Sequence, residues 1–471
     1  MGSMRCVHNT VPIARLPPDV LLEFFDACIL HNAVDDHSSY LGAPYIHAAI
    51  LSVAAVCRDW RNLAIQTPSL WTNIHINFWR GNLSNATTLL RILLSRSAEL
   101  PLSITMRSSD NISVRQDEAE PLVSALLAHS ARWACLDVRV SEGIFRLLAP
   151  ARGRVPQLRG VRFRFLYNRW PRMDWESVRG LFGDCPALVD VDHRGPELDF
   201  PWEQLERLSL SGWPPPAALE RTTRARVLCF GEGHVDRPSY GPRSLESISR
   251  LERPALRKLA VDLGSHLRYF RAPNLVACHV LQSHDSAGDL RCVTRYVLAE
   301  SVQLTTLSLA LACTLATELG ELLSHCRALS RLQLNLIATS SSSVSENTAA
   351  FDGVLCLLVV RHDHQVLMPA LLHLGLMMNL VLSADAAISL AEIVQSRAAA
   401  PTHVAASLQS VALRIRSVDG DIADGISYLA ERLKDCQVLG SPTLDIDPDT
   451  SRGQGREYRL KRVWREAWTA L

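Results

Sequence analysis

The sequence has no Cys-x-x-Cys pair, although twelve cysteines are scattered along its 471 residues. Zinc modules usually draw on such closely spaced thiolates, so none is expected. Also missing are the Gly-x-x-x-x-Gly-Lys phosphate loop, the Gly-x-Gly-x-x-Gly fingerprint and the Gly-x-Ser-x-Gly elbow. Their absence removes the readable signs of nucleotide and hydrolase chemistry. There is no excess of one charge: 49 Lys and Arg face 48 Asp and Glu, a net +1. A chain so balanced is not drawn as a whole to nucleic acid or to an acidic membrane. No uninterrupted apolar run reaches membrane-spanning length. The greasiest stretch, residues 366–382, contains Pro369, His373 and Asn379 and reads as buried core. The N-terminus lacks the charged start and apolar centre of a signal peptide. Cytosol or nucleus is therefore the expected location, and the sequons at Asn82, Asn85 and Asn111 are expected to carry nothing.

Two short motifs invite metal chemistry. His362-Asp363-His364 offers two imidazoles without an evident third ligand, and a polar loop is the better reading. Asp445-Ile446-Asp447-Pro448-Asp449 lacks the Gly and Glu of a calcium loop. No metal, cofactor or catalytic residue is expected, and a non-enzymatic protein is the reading adopted.

What the chain does contain is apolar residue in abundance, 48% of the total, enough for a large interior. Near the N-terminus, Leu16-Pro17-Pro18-Asp19 opens a helix, because proline suits the first turn. Val20, Leu21, Phe24, Phe25 and Cys28 follow at helical spacing. A second helical run carries Ala49, Ile50, Val53, Val56 and Cys57 into Arg58-Asp59-Trp60, and Thr67-Pro68-Ser69-Leu70-Trp71 closes the region as a break and an apolar anchor. Sixty residues enclose too little volume to hide all these side chains, so part of the surface needs a partner.

Leu16-Pro17-x-x-Val20-Leu21, Val56-Cys57-Arg58-x-Trp60 and Thr67-Pro68-Ser69-Leu70-Trp71 together resemble the F-box, in the form common in fungal F-box-like families. The resemblance implies a three-helix module that binds the Skp-type adaptor of SCF cullin–RING ubiquitin ligases. Carried over residue by residue, it assigns adaptor binding to Leu16, Pro17, Val20, Leu21, Phe24, Val56, Cys57, Trp60, Leu70 and Trp71. The segment between the two halves, residues 26–45, is longer than the usual motif.

From about residue 90 the chain repeats itself. Five phrases end on Ser or Cys: Leu93 to Ser97, Leu126 to Ser130, Leu181 to Cys185 and Leu322 to Cys326 open on paired apolar residues, and Arg432 to Cys436 has Arg in the first place. Each reads as a helix end turning toward a strand. Eight further phrases have the form Leu-x-x-apolar-x-apolar, beginning at Leu158, Leu205, Leu256, Leu275, Leu304, Leu329, Leu371 and Leu408. Their last two apolar residues face one side of a strand. No single unit buries that face alone, so neighbours must stack as in a leucine-rich repeat solenoid. The Asn or Cys usual after the strand is replaced by Trp213 and Ile337, and residues 339–350 form a Ser-rich excursion, so the array is expected to be irregular.

Arg159, Arg162, Arg164, Arg169 and Arg172 gather around Phe163, Phe165, Tyr167 and Trp170. Alternation places Arg162 and Arg164 on one strand face and the phenylalanines on the other. Arg162, Arg164, Arg169 and Trp170 are the candidate substrate-binding residues, suited to an acidic or phosphorylated segment; base stacking on RNA or a solvated edge are the other readings. In the tail, Leu460, Val463, Trp464, Ala467, Trp468 and Leu471 form one helical stripe, read as a cap on the last repeat.

The expected fold class is an α/β repeat: all-α F-box-like helices followed by an irregular leucine-rich repeat solenoid. The expected layout is a tail (1–14), an F-box-like domain (15–79), a repeat domain (80–440) and a tail with a capping helix (441–471). The resemblance implies a substrate-recognition subunit whose partners are a Skp-type adaptor, through it a cullin, and a protein substrate. A non-catalytic repeat scaffold with a degenerate F-box is the alternative, and membrane and nucleic acid are not expected partners.

Overall fold

A computed structural model describes residues 16–34, 46–47, 49–78, 83–108, 116–164, 176–194, 198–231, 250–281, 286–337, 344–360, 366–378, 384–399, 405–406 and 408–415. The chain divides into two compact units, Met1–Ser247 and Ile248–Leu471. The division falls inside the repeats, so the N-terminal helices share the first unit with the first repeats.

The first unit begins with α1 (Pro18–Val34), α2 (Ala49–Ala55) and α3 (Arg58–Ile65). Pro18 stands where a helix leaves its N–H groups unused, and Cys57 starts α3 by accepting the Trp60 N–H on Sγ at 3.4 Å. A tight 3-10 turn, Pro68–Trp71, leads into β2 (Asn73–Phe78), which pairs antiparallel with the short β1 (Ile46–His47). Thereafter every strand is parallel to its predecessor: β3 (Leu102–Ser108), β4 (Trp133–Arg139), β5 (Gly160–Arg164), β6 (Asp190–Arg194), β7 (Arg207–Leu210) and β8 (Val227–Phe230). The connections carry α4 (Leu83–Arg96), α5 (Gln116–Leu127), α6 (Glu142–Arg146), α7 (Glu176–Arg179) and α8 (Pro216–Arg221). Parallel pairing requires such crossovers, since no hairpin can reverse the chain between parallel neighbours. One strand face is buried throughout: Ile104, Met106, Leu136, Val138, Val161 and Phe163 are enclosed.

The second unit repeats the plan. Its main strands, in order, are β10 (Lys258–Val261), β12 (Ala277–Val280), β13 (Thr306–Ala312), β14 (Arg331–Ile337), β15 (His373–Met378) and β16 (Ser410–Ile415), each parallel to the next. A separate parallel pair joins β9 (Leu251–Glu252) to β11 (Phe270–Arg271). The helices are α9 (Ser286–Glu300), α10 (Ala316–His325), α11 (Val344–Cys356) and α12 (Ala384–Ala399). The Ser-rich excursion is thus corrected in part, since α11 begins at Val344: Ala349 and Ala350 sit in a helix whose Phe351, Val354 and Leu355 are buried.

All eight Leu-x-x-apolar-x-apolar phrases fall on strands, and their leading leucines, from Leu158 to Leu408, are buried just before each strand. Four of the five turn phrases end as read, with Ser97, Ser130, Cys185 and Cys326 buried. The fifth, and the C-terminal helix, lie outside the described residues, as do His362 to His364 and Asp445 to Asp449. Among the described residues no cluster of metal-ligating groups occurs, and no helix is long and apolar enough to cross a membrane.

Leucine-rich repeats generally close their turns with a regular polar residue; here long side chains from the following unit do so. Arg132 Nη2 donates to Leu100 O at 2.8 Å and to Ser97 Oγ at 2.7 Å. Gln204 Nε2 donates to Cys185 O at 2.7 Å and Leu188 O at 2.8 Å. The buried Arg397 reaches Leu367 O at 3.1 Å and Met368 O at 3.3 Å. The carbonyls of Leu100, Leu188 and Leu367 gain a side-chain donor in this way, while Cys185 O and Met368 O also accept the N–H of Leu188 and Leu371.

One glycine is fixed by close approach. Gly264 opens a 3-10 turn packed on α9, and a Cβ there would run into the backbone carbonyl of Asp289, whose Oδ1 accepts the Ser265 N–H at 3.1 Å. Backbone cannot swing aside as a side chain can, so Gly264→Ala should cost roughly 2 kcal/mol. Urea denaturation checks this; an unchanged midpoint would mean the turn shifts freely.

Candidate docking faces on the first unit

The N-terminal helices present apolar residues on two neighbouring stripes of α1. Leu21 and Phe25, four apart, point into the domain and are buried. Val20 and Phe24, also four apart, point outward and are each 44% exposed, with Leu16 at 38% just before the helix. Pro17 beside them is exposed as well. A helix apolar on both faces has been only half covered by its own chain.

The remaining assigned residues separate by burial. Val56, 61% exposed, and Cys57, also exposed, stand at the α2–α3 junction. Trp60, 7% exposed, lies beneath Phe24, ring centroids 5.8 Å apart edge-on, and against Phe25 at 4.9 Å. Leu70 and Trp71 are enclosed; Trp71 Nε1 donates to Ala64 O at 2.7 Å, and the Arg96 guanidinium covers its ring at 4.5 Å. Leu21, Trp60, Leu70 and Trp71 therefore build and brace the face, while Leu16, Pro17, Val20, Phe24, Val56 and Cys57 form accessible surface. Ile65, 41% exposed at the end of α3, was not among the residues assigned from sequence; its position in the helical run was the available signal.

The second face is the open side of β3–β6. Arg162 is exposed and Arg164 half-buried, with Phe163 behind them stacked on His193 and tilted against Phe145. Arg169 and Trp170 lie outside the described residues. The register adds what the sequence reading did not collect: Arg107 is opposite Arg139, and Arg164 opposite Arg194. Each directly follows the third inward position of its strand phrase, Met106, Val138, Phe163 or His193, which was a signal available in the sequence. Arg107 grips Asp137 through two parallel bonds of 2.7 and 2.8 Å, and Arg164 meets Asp192 at 3.3 Å. Burial pushes the Asp137 carboxyl up, but the bonded Arg107, with Arg164 and Arg162 nearby, outweighs it and holds the group below its usual range. Burial raises Asp190 instead, helped by Asp192 and opposed by Arg207 and Arg162. Burial also raises the Cys135 thiol, with Asp190 adding to the effect, so this exposed cysteine is a poor nucleophile.

An outward apolar stripe on α1 and the stacked strand-and-helix units that follow support a protein-interaction adaptor. Residues 13–77 match the F-box-like family model. That segment is thus similar to the F-box-like family, and the strand-and-helix array after it resembles leucine-rich repeats in its own pattern. F-box domains generally bind Skp-type adaptors, and both kinds of module are typically non-catalytic. No curated protein matches the chain. Among solved structures, the leucine-rich repeat-containing protein LegL7 from Legionella pneumophila is similar, at 14% identity over 76% of this chain and 98% of that one, with a TM-score of 0.32.

Proposed function

We propose that this protein is the substrate-recognition subunit of an SCF-type ubiquitin ligase. The observation that carries the reading is the outward stripe of Leu16, Pro17, Val20 and Phe24 within the F-box-like match. A Skp-type adaptor covers that stripe and Val56, and through the adaptor a cullin is engaged. The repeats hold a protein substrate, which then meets the charged ubiquitin carrier at high effective concentration. The work is done in the cytosol or nucleus, where the free cysteines remain thiols.

Adaptor capture tests the reading. Leu16→Ala with Pro17→Ala, both at exposed positions, should weaken capture of a purified Skp-type adaptor about thirtyfold, roughly 2 kcal/mol for a central apolar anchor. The melting transition should stay in place. Equal capture by wild type and variant would favour a repeat scaffold whose F-box-like domain no longer docks an adaptor.

A further inference from the structure

Lysine is almost missing from this chain. Of its 49 Lys and Arg residues, 46 are Arg and 3 are Lys. The three are Lys258, Lys434 and Lys461, so residues 1–257, which contain the whole of the first unit, have none. Lys434 and Lys461 lie outside the described residues, and Lys258, the first residue of β10, is half-buried. What the side chains touch does not account for the preference. Some positions do use the guanidinium fork: Arg107 on Asp137, Arg132 on Leu100 O and Ser97 Oγ, Arg397 on Leu367 O and Met368 O. Others need only a positive charge. Arg207 stands 3.8 Å from Asp190, Arg226 3.9 Å from Glu206 and Arg291 3.8 Å from Glu318, beyond hydrogen-bond reach. Arg91 on α4, Arg154 in the connection before β5 and Arg224 in the connection before β8 are exposed. An ammonium would serve at all of these surface positions, because exposed pairs contribute little beyond charge.

The property that separates the two residues is nucleophilicity. A guanidinium stays protonated, whereas a lysine can lose its proton and attack. Ubiquitin transfer uses that neutral ε-amine. Its nitrogen attacks the thioester carbonyl of the charged carrier and an isopeptide C–N bond forms. The C–S bond breaks, and the amine's proton balances the thiolate that leaves the carrier as a thiol. A chain fastened to the ligase meets the carrier at the same raised effective concentration that favours its substrate. We infer that arginine in place of lysine shields this chain from modification by its own ligase, leaving the first unit without acceptor amines while preserving its charge. This rests on the substrate-receptor reading and adds a property that reading does not require. The acceptor amine then has to come from the bound protein, so transfer goes to the substrate and spares its holder.

The test is reconstituted ubiquitin transfer with the full chain, a Skp-type adaptor, a cullin–RING module, the charged carrier and no substrate. The ubiquitin used is stripped of lysines, so each adduct marks one acceptor on the receptor. Discharge of the carrier onto free lysine establishes that the module is active. Wild type is compared with a variant carrying Arg91→Lys, Arg154→Lys, Arg224→Lys and Arg226→Lys, which keeps the charge. Adaptor capture and the melting transition should match in the two proteins. The variant should gain ubiquitin at least about tenfold faster than wild type, as expected for amines held near the carrier. Peptide mass spectrometry should place the adducts on the introduced lysines. Wild type modified as fast as the variant overturns the inference. So does a variant that stays as bare as wild type while free lysine is consumed, since a surface out of the carrier's reach needs no shielding. Failure of wild type to capture the adaptor sinks the ligase reading itself. A receptor that docks its adaptor but shows either of the other two results fails this inference alone.

Discussion

Trp71→Ala should destabilise the first unit by about 3–5 kcal/mol, the range for emptying a large buried aromatic site. Trp71 is 1% exposed, and its Nε1–H satisfies the carbonyl of Ala64, itself fully buried near the end of α3. Removal leaves a void beneath Arg96 and an acceptor without its donor. The consequence reaches function, because the indole ties α3 to the turn that enters the first repeat. Trp71→Phe, which fills most of the space and forfeits the bond, should cost about 1–2 kcal/mol. Chemical denaturation of the three proteins provides the measurement, and adaptor capture should fall with Trp71→Ala while Leu16 and Phe24 remain present. A loss for Trp71→Ala no larger than that for Trp71→Phe would show that the packing of the ring, rather than the bond, is dispensable.

Mild acid should act on the second unit. His279 lies on β12 between Ala260 and Ser308 and is 3% exposed; burial, with the Lys258 charge, lowers its pKa to about 3. His266, in the turn against α9, is brought down to about 4 by burial and Arg268. Both folded values lie below 6.5, the ordinary value. Below pH 6.5 the unfolded chain therefore binds protons that the folded chain refuses. Stability is complete above pH 6.5 and declines as pH falls toward 4, by roughly 3 kcal/mol per pH unit for the two groups together. Urea unfolding between pH 7 and about 5 measures this above the range of ordinary carboxylates, with contributions of the same sign from His129 and His373, whose pKa values burial also lowers. His279→Gln should remove about half of the slope. A slope equal to wild type in that variant would place the proton uptake elsewhere.

The strands were legible wherever the sequence spelled Leu at the start and aliphatics after it. Of the strands that escaped, which include β2, β3 and β4, two did so for identifiable reasons. β6 carries the same phrase, Leu188-x-x-Val191-x-His193, but its third inward position is a histidine, buried against Phe163 and Phe200. β8 opens with Ala225, whose small side chain fills the place of leucine. On α1 the sequence showed apolar spacing but not which of two stripes the chain itself covers, because that depends on Trp60 arriving from α3. The arginine row was divided among four repeats of unequal length, and only strand register brings it together. The division into two units after Ser247 left no mark, since leucine phrases continue on both sides of it.

The reaching side chains of Arg132, Gln204 and Arg397 all point backward along the chain, from a later repeat to the turn before it. A nascent chain leaving the ribosome thus carries, at its growing end, a turn whose carbonyls still await a donor. That turn is completed only when the next 16 to 32 residues emerge, the intervals from Leu188 to Gln204 and from Leu100 to Arg132. Synthesis in the N-to-C direction then finishes repeats one at a time and in order, and a pause by the ribosome leaves a single open turn exposed to solvent.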